Sequence, residues 1–451
     1  MASIHARLAQ VKEDSEQLID PKVVVEACHK AGHSWRERAL DPVRTLHAFA
    51  SQVMHGNTAM AFLCRRMGNL FCESAYCQAR ARLPVSVVQA AVDDFTARAI
   101  GATCESLWCG HRTVLVDGTG ICTPDTPELR ELLGVNSIYQ PGCGLPSASV
   151  LVVFDARRDL LLGMHAARAQ TNDAAHTDKV HPLLRAGDVE VGDRGLCSYV
   201  ELALLRKAGV HGVFRMTASR TMPFLAKQGE RERLGYNRHR KQEPLLVTLI
   251  AENDQIVEIV KPHNRPKHVP AEVFARIPSK MVVRVVRYAV EQAGWRSRSI
   301  TLMTDLLEAA RYPAKELAAL YLSRWRIEVN LRHLKRTLGM SRLKCRSADG
   351  IRREMLMFAL VYNAVCAVRA KAAAAQGVTL GRVSFIDALR WMLLDTDGVP
   401  TTLRRPPDLK LWPIRPPRFH PRLVKYGDQC FRVMHTPRKQ LIEACLTAKS
   451  G

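Results

Sequence analysis

Along the first hundred residues, apolar positions recur every three or four residues in LAQVKEDSEQLI, PKVVVEACHKAG, VRTLHAFASQVMHG and LPVSVVQAAVDDFTARAIG, each closed by Gly or Pro. That spacing predicts a helical, largely basic region over 1–105. The period then changes. Short apolar runs predict strands at 111–116, 149–154, 160–165, 188–192 and 211–216, with helices at 174–186 and 198–208. Between 217 and 299 polar loops separate the alternating runs LLVTLI, QIVEIV and KMVVRVVRYAV, a β-rich insertion. A strand at 299–303 and a long helix at 321–340 follow, then helices at 352–375 and 384–394 and a tail rich in Pro and Arg. The reading is an α/β fold in which a mixed sheet over 106–340 carries the 217–299 insertion. Helical regions at 1–105 and 341–451 flank it.

The stretch YLSRWRIEVNLRHLKRTLGM (321–340) is the most informative. At about 100° per residue, Leu320, Ile327, Leu331, Leu334 and Leu338 form one apolar stripe. Tyr321, Arg324, Glu328, Arg332 and Lys335 form another. Gly339 is a natural stop. One face can sit on a core while the other presents a carboxylate among cations. Such a group can hold a metal or meet a phosphate. It can equally be a solvated face with i,i+4 ion pairs such as Glu328–Arg332.

Two aspartates follow short apolar runs: Asp117 in HRTVLV-DGTG and Asp193 in DVEVG-DRG. A strand fixes such a carboxylate and the glycine-bearing turn exposes it, although turn-forming Asp residues look the same. Asp155 and Asp159 read as the turn of a hairpin. Asp305 ends the strand before the helix and is either a further acid or the cap of the next turn.

Tyr321-x2-Arg324-x3-Glu328-x6-Lys335, filled by Trp325-Arg326-Ile327, resembles the YREK signature of DDE transposases of the insertion-sequence-four class. Asp117 and Asp193 match that family's paired aspartates, and the strand order resembles an RNase-H-like domain. The likeness covers roughly 112–340. It implies that Asp117, Asp193 and Glu328 are catalytic and bind Mg²⁺ or Mn²⁺, with two ions expected. Three carboxylates converging without a cation would repel one another, and all-oxygen ligands suit hard cations rather than zinc. Tyr321, Arg324, Arg332 and Lys335 are then expected to contact DNA phosphates. Trp295 is either a base-stacking residue or a core Trp. The implied reactions are nicking at terminal inverted repeats, a hairpin step and strand transfer into target DNA, carried out by a synaptic homodimer. The N-terminal region would recognise the repeats, with 57–84 (Arg65, Arg66, Arg80, Arg82) as a helix-turn-helix-like unit.

Composition agrees. Lys plus Arg number 66 against 43 Asp plus Glu, a formal net charge of +23, which favours a polyanionic partner such as double-stranded DNA. The most apolar run, 355–375, carries Asn363, Arg369 and Lys371 and reads as a core helix, so no membrane role is expected. Thirteen scattered Cys without a C-x2-C pair suit reduced thiols in a cytosolic protein, and the resemblance implies a bacterial, nucleoid-associated one. A non-catalytic DNA-binding protein explains the charge but not the acids. An RNase-H-like nuclease explains the acids but not the Tyr321/Arg324/Lys335 set. A two-carboxylate glycosidase needs neither the charge nor the cations.

Overall fold

The computed structural model describes residues 18–102, 107–136, 143–217, 245–289, 299–393 and 409–412, with 440 and 443. The N-terminal region is helical: α1 (Pro21–Lys30), α2 (Pro42–Met54), α3 (Met60–Arg66), α4 (Glu73–Arg82) and α5 (Val85–Gly101). The run before α1 lies outside the described residues except for Leu18 and Ile19 at its end. The first two helices start alike. Asp20 and Asp41 accept from backbone N–H groups of the first turn, and Pro21 and Pro42 lead each helix, where the missing N–H costs nothing.

The sheet follows: β1 (Thr113–Cys122), β2 (Ser147–Asp155), β3 (Leu161–Arg168), β4 (Val189–Gly192) and β5 (His211–Arg215), with α6 (Pro127–Leu133) after β1 and α7 (Tyr199–Lys207) after β4. Its order is β3-β2-β1-β4-β5, with β1, β4 and β5 parallel and β2 antiparallel between β1 and β3. This is an RNase-H-like mixed sheet. The strands of the 217–299 stretch extend it: β6 (Leu245–Ala251), β7 (Asp254–Val260) and β8 (Lys280–Ala289), joined through β9 (Ser299–Thr304) to β5. The result is a nine-stranded sheet in the order β3-β2-β1-β4-β5-β9-β8-β7-β6. Short α8 (Ala271–Ala275) lies between β7 and β8.

After β9 come α9 (Ala314–Ser323), α10 (Trp325–Arg332), a π turn (His333–Thr337), α11 (Ala348–Ala375) and α12 (Phe385–Leu393). Side-chain alternation sends Leu115, Val189, Val191 and Val213 to one face, where α5, α10 and α11 bury a large core. Val114, Val116, Leu151 and Phe214 go to the other, against α7. Helix α11 is long and apolar enough to cross a membrane, but most of it is buried inside the protein. Its polar residues explain why. Asn363 exchanges hydrogen bonds with the backbone of Leu161 on β3, and Arg369 reaches Asp159. It is a core helix.

Several expected elements differ. No α-helix spans 174–186. Single 3₁₀ turns occupy Asp173–Ala175, Thr177–Lys179 and His181–Leu183. Pro182 removes a backbone donor, and Asn172 bonds the N–H of Ala174, so the segment is turned rather than helical. The helix expected at 321–340 begins earlier, at Ala314, is interrupted at Arg324 and widens into the π turn at His333. Gly339 does stop it, at φ +92°. The 57–84 stretch holds α3 and α4, but Arg80 does not join a surface patch. It donates to Gln52 and lies 4.3 Å over the Phe49 ring. Trp295 and the 218–244 part of the insertion lie outside the described residues, as does nearly all of the C-terminal tail.

Candidate active site

The site is set by the unequal lengths of two parallel strands. β4 ends at Gly192, which pairs with Val116, so Asp117 and Asp193 follow on the next rung of neighbouring strands. Parallel neighbours are about 4.8 Å apart, and residues in register share a face, so the two carboxylates stand side by side. Asp117 is not at a strand end as the sequence suggested. Beyond it β1 continues to Cys122, because β2 keeps pairing with it through Cys122↔Ser147. The second half of β1 therefore has β2 on one side and, among the described residues, no strand on the other.

The signature segment lies along that open half. Arg324 Nη1 is 3.2 Å from Asp117 Oδ2, and its Nη2 is 3.6 Å from Glu328 Oε1. Further along, Lys335 Nζ donates to Thr119 Oγ1 at 3.1 Å. The backbone after the helix then pairs with Cys122, through Cys122 N–H to Ser341 and Leu343 N–H to Cys122. Asp117, Thr119 and Ile121 face the helix in turn, and Ile121 joins the core with Ile327 and Leu331. The whole predicted apolar stripe is buried: Leu320, Ile327, Leu331, Leu334 and Leu338. That burial orients the opposite stripe.

The other residues are placed as follows. Asp193 accepts from the Gly195 N–H at 2.6 Å, an Asx turn that holds it at the strand end. Glu328 is partly exposed, in the first turn of α10. Tyr321 is buried at 5% exposure beneath the Arg324 guanidinium, which is 5.8 Å from its ring centroid, so it faces the core more than a solvent groove. Arg332 is exposed. Asp305 is at the opposite end of the sheet, accepting from His211 and from the Gly212 N–H at the start of β5. It is a structural residue, remote from Asp117.

Electrostatics follow from this packing. Burial pushes the Asp117 carboxyl up to about 6, the Arg324 guanidinium pulls it down, and the neighbouring Asp193 pushes it up again. A cation would relieve the crowding of carboxylates, and the donor set is all oxygen. On both counts the residues fit a hard divalent ion.

The transposase DDE domain family matches residues 108–364, which take in both aspartates and the signature segment. The chain belongs to that family. It is similar to the transposase InsG for insertion sequence element IS4 of Escherichia coli (strain K12), with 26% identity over 300 residues. The match covers 65% of this chain but only 60% of the length of that protein. Among solved structures it is similar to the piggyBac transposase synaptic complex with hairpin DNA, seen by cryo-EM, at a TM-score of 0.44 and 10% identity over 84% of this chain and 78% of that one. The expected class, a DDE transposase of the insertion-sequence-four kind, is met.

Two residues at this candidate site were not picked out from sequence. Asp173 comes so close to Gly118 that a Cβ there would lie 2.2 Å from its carboxylate. That closeness places a fourth carboxyl group beside Asp117, and burial and the nearby Asp193 both raise the Asp173 pKa. Arg215, the last residue of β5, acts electrostatically on Tyr321. The Gly-Thr-Gly after Asp117 was the available signal for Asp173, since a glycine in a strand often marks a close approach.

Proposed function

We propose that the chain is a DNA transposase that binds the terminal inverted repeats of an insertion sequence and cuts and joins their ends by metal-dependent phosphoryl transfer. The single observation that carries this reading is that Asp117 and Asp193 each follow directly on the paired Val116 and Gly192 of neighbouring strands, with Arg324 linking Asp117 to Glu328. In this reading Asp117, Asp193 and Glu328 are the catalytic carboxylates and hold two Mg²⁺ or Mn²⁺ ions. When bound, such ions activate a water or a 3′-hydroxyl and stabilise the leaving oxygen of an in-line displacement.

The protein's own groups do the rest. Asp117 and Asp193 are fixed by the sheet, so their separation is set before DNA binds. Glu328 rides on a helix anchored by its apolar stripe and is the adjustable third ligand. Arg324 is placed to grip a non-bridging phosphate oxygen in bidentate fashion, and Lys335 a neighbouring phosphate. Tyr321 supports Arg324 from beneath and orients it. Arg332 adds charge from solvent.

The N-terminal helices (1–105) are assigned to repeat recognition, and the helical 341–451 region to dimer contact in the synaptic complex. Not all basic residues serve DNA. Lys344 and Arg353 donate to the carbonyls of Asn57 and Leu83, and Lys261 and Arg265 to local carbonyls. Trp295 stays a candidate for stacking on an extruded base. The setting is the bacterial cytoplasm and nucleoid, and a hairpin intermediate is part of the proposed reaction.

The test is cleavage, with Mg²⁺, of linear DNA bearing the element's ends, comparing the chain with Glu328→Gln. Metal-dependent cutting that disappears in the variant while binding persists is expected. Joining of the freed 3′ end to a second duplex separates a transposase from a nuclease. Binding without cutting by either protein would leave only a DNA-binding module.

A further inference from the structure

A second cluster lies on the opposite face of the sheet. Glu190 pairs in register with Val114, so it shares that residue's face, whereas Asp117 and Asp193 follow Leu115 and Val191 on the other. Glu190 is 1% exposed, and neither carboxylate oxygen has a hydrogen-bond partner. It faces Glu201 of α7 and His181 of the third 3₁₀ turn. One ligand atom from each of the three residues lies within 4.8 Å of the others. His181 Nε2 is 2.7 Å from Glu201 Oε1, and Thr177 Oγ1 donates to Glu201 Oε2 at 2.7 Å.

The orphaned carboxylate needs an explanation. An ionised carboxylate buried without a partner costs several kcal/mol. Protonation alone leaves both oxygens without a hydrogen bond, which is also unfavourable. A cation satisfies the group directly. Donor atoms about 2 Å from a common ion stand roughly 3–4 Å from one another, which is the scale of this cluster. We propose that His181, Glu190 and Glu201 bind one divalent transition-metal ion of the zinc or manganese type.

One imidazole and two carboxylates suit such ions better than Mg²⁺, which favours oxygen donors and keeps several waters. Thr177 supplies the outer hydrogen bond that orients Glu201. His181 is partly exposed, at 17% of its side chain, and gives an entry path. The ion would join the β3–β4 crossover to α7 and β4. That crossover contains Asp173, and β4 ends beside Asp193, so the clamp would steady both from behind. The proposal does not depend on the transposase reading.

The experiment uses the full chain with Asp117→Asn, Asp173→Asn, Asp193→Asn and Glu328→Gln, which removes the four carboxylates of the other site, stripped with a chelator and titrated with Zn²⁺. One tight equivalent per chain is expected, with a rise in Tm at excess Zn²⁺ as binding to the folded state requires. Adding Glu190→Gln or His181→Ala should weaken that equivalent at least tenfold, with the far-UV circular dichroism unchanged. His181→Ala tests the site even if Glu190→Gln disturbs the core. Absence of a tight equivalent in the parent, or an affinity that neither added variant changes, would overturn the site and leave Glu190 as a buried neutral acid.

Discussion

The Arg324 guanidinium sits 3.2 Å from the carboxylate of Asp117, a residue 207 positions earlier in the chain. The contact joins the centre of the sheet to the signature helix. It also opposes the burial that raises the Asp117 pKa.

The raised pKa has a consequence for stability. The folded value of about 6 exceeds the unfolded value near 3.8, so the native state holds the proton longer. The stability tied to that proton is complete below about pH 4 and is lost as the pH rises through 6. Two pKa units correspond to about 3 kcal/mol at most. In chelator at pH 7.5, Asp117→Asn is therefore expected to raise Tm, and the gain should vanish near pH 4. A lower Tm at pH 7.5 would refute it.

Gly118 is required by its neighbour. A methyl there would overlap the Asp173 carboxylate, so Gly118→Ala must displace the fourth acid of the site. Overpacking of this kind typically costs about 1–3 kcal/mol. Reduced urea stability, with end cleavage falling further than DNA binding, is expected. Gly118→Ala combined with Asp173→Ala should recover part of the stability, a recovery that denaturant titration measures directly.

Asp159 clamps the signature helix to α11. Its carboxylate takes Arg326 at 2.8 Å and Arg369 at 3.4 Å, and accepts from Asn330 at 3.2 Å. Arg369 is buried at 5% exposure, so Asp159→Ala leaves a buried charge short of its partner. A loss of about 3–5 kcal/mol is expected in equilibrium unfolding. Asp349→Ala, which removes an exposed partner of Arg352, should cost under about 1 kcal/mol.

His333 should make the fold acid-sensitive. It stacks on Phe385 with centroids 4.2 Å apart, and burial lowers its pKa from 6.5 to about 4. The unfolded state then takes up a proton that the native state refuses. Stability present above pH 6.5 falls progressively towards pH 4, by up to about 3 kcal/mol. Replacing His333 with Phe should flatten that part of the Tm-against-pH curve. An unchanged curve would exclude the residue.

Much of the site was legible in the chain. The spacing of Leu320, Ile327, Leu331, Leu334 and Leu338 marks the buried stripe, because helical periodicity alone decides which side chains share a face. Short apolar runs placed β4 and β5, and the charged positions around Glu328 followed from the same geometry. Three things were decided by tertiary structure. Asp117 lies inside β1 because pairing with β2 outweighs the turn tendency of Asp-Gly, and a cross-strand partner is invisible to local propensity. Asp173 and Arg215 reach the site only through the strand order, which no sequence period encodes. Glu190, Glu201 and His181 come together because one sheet face, one helix and one turn pack there, and it is burial that turns an ordinary glutamate into an unpartnered one.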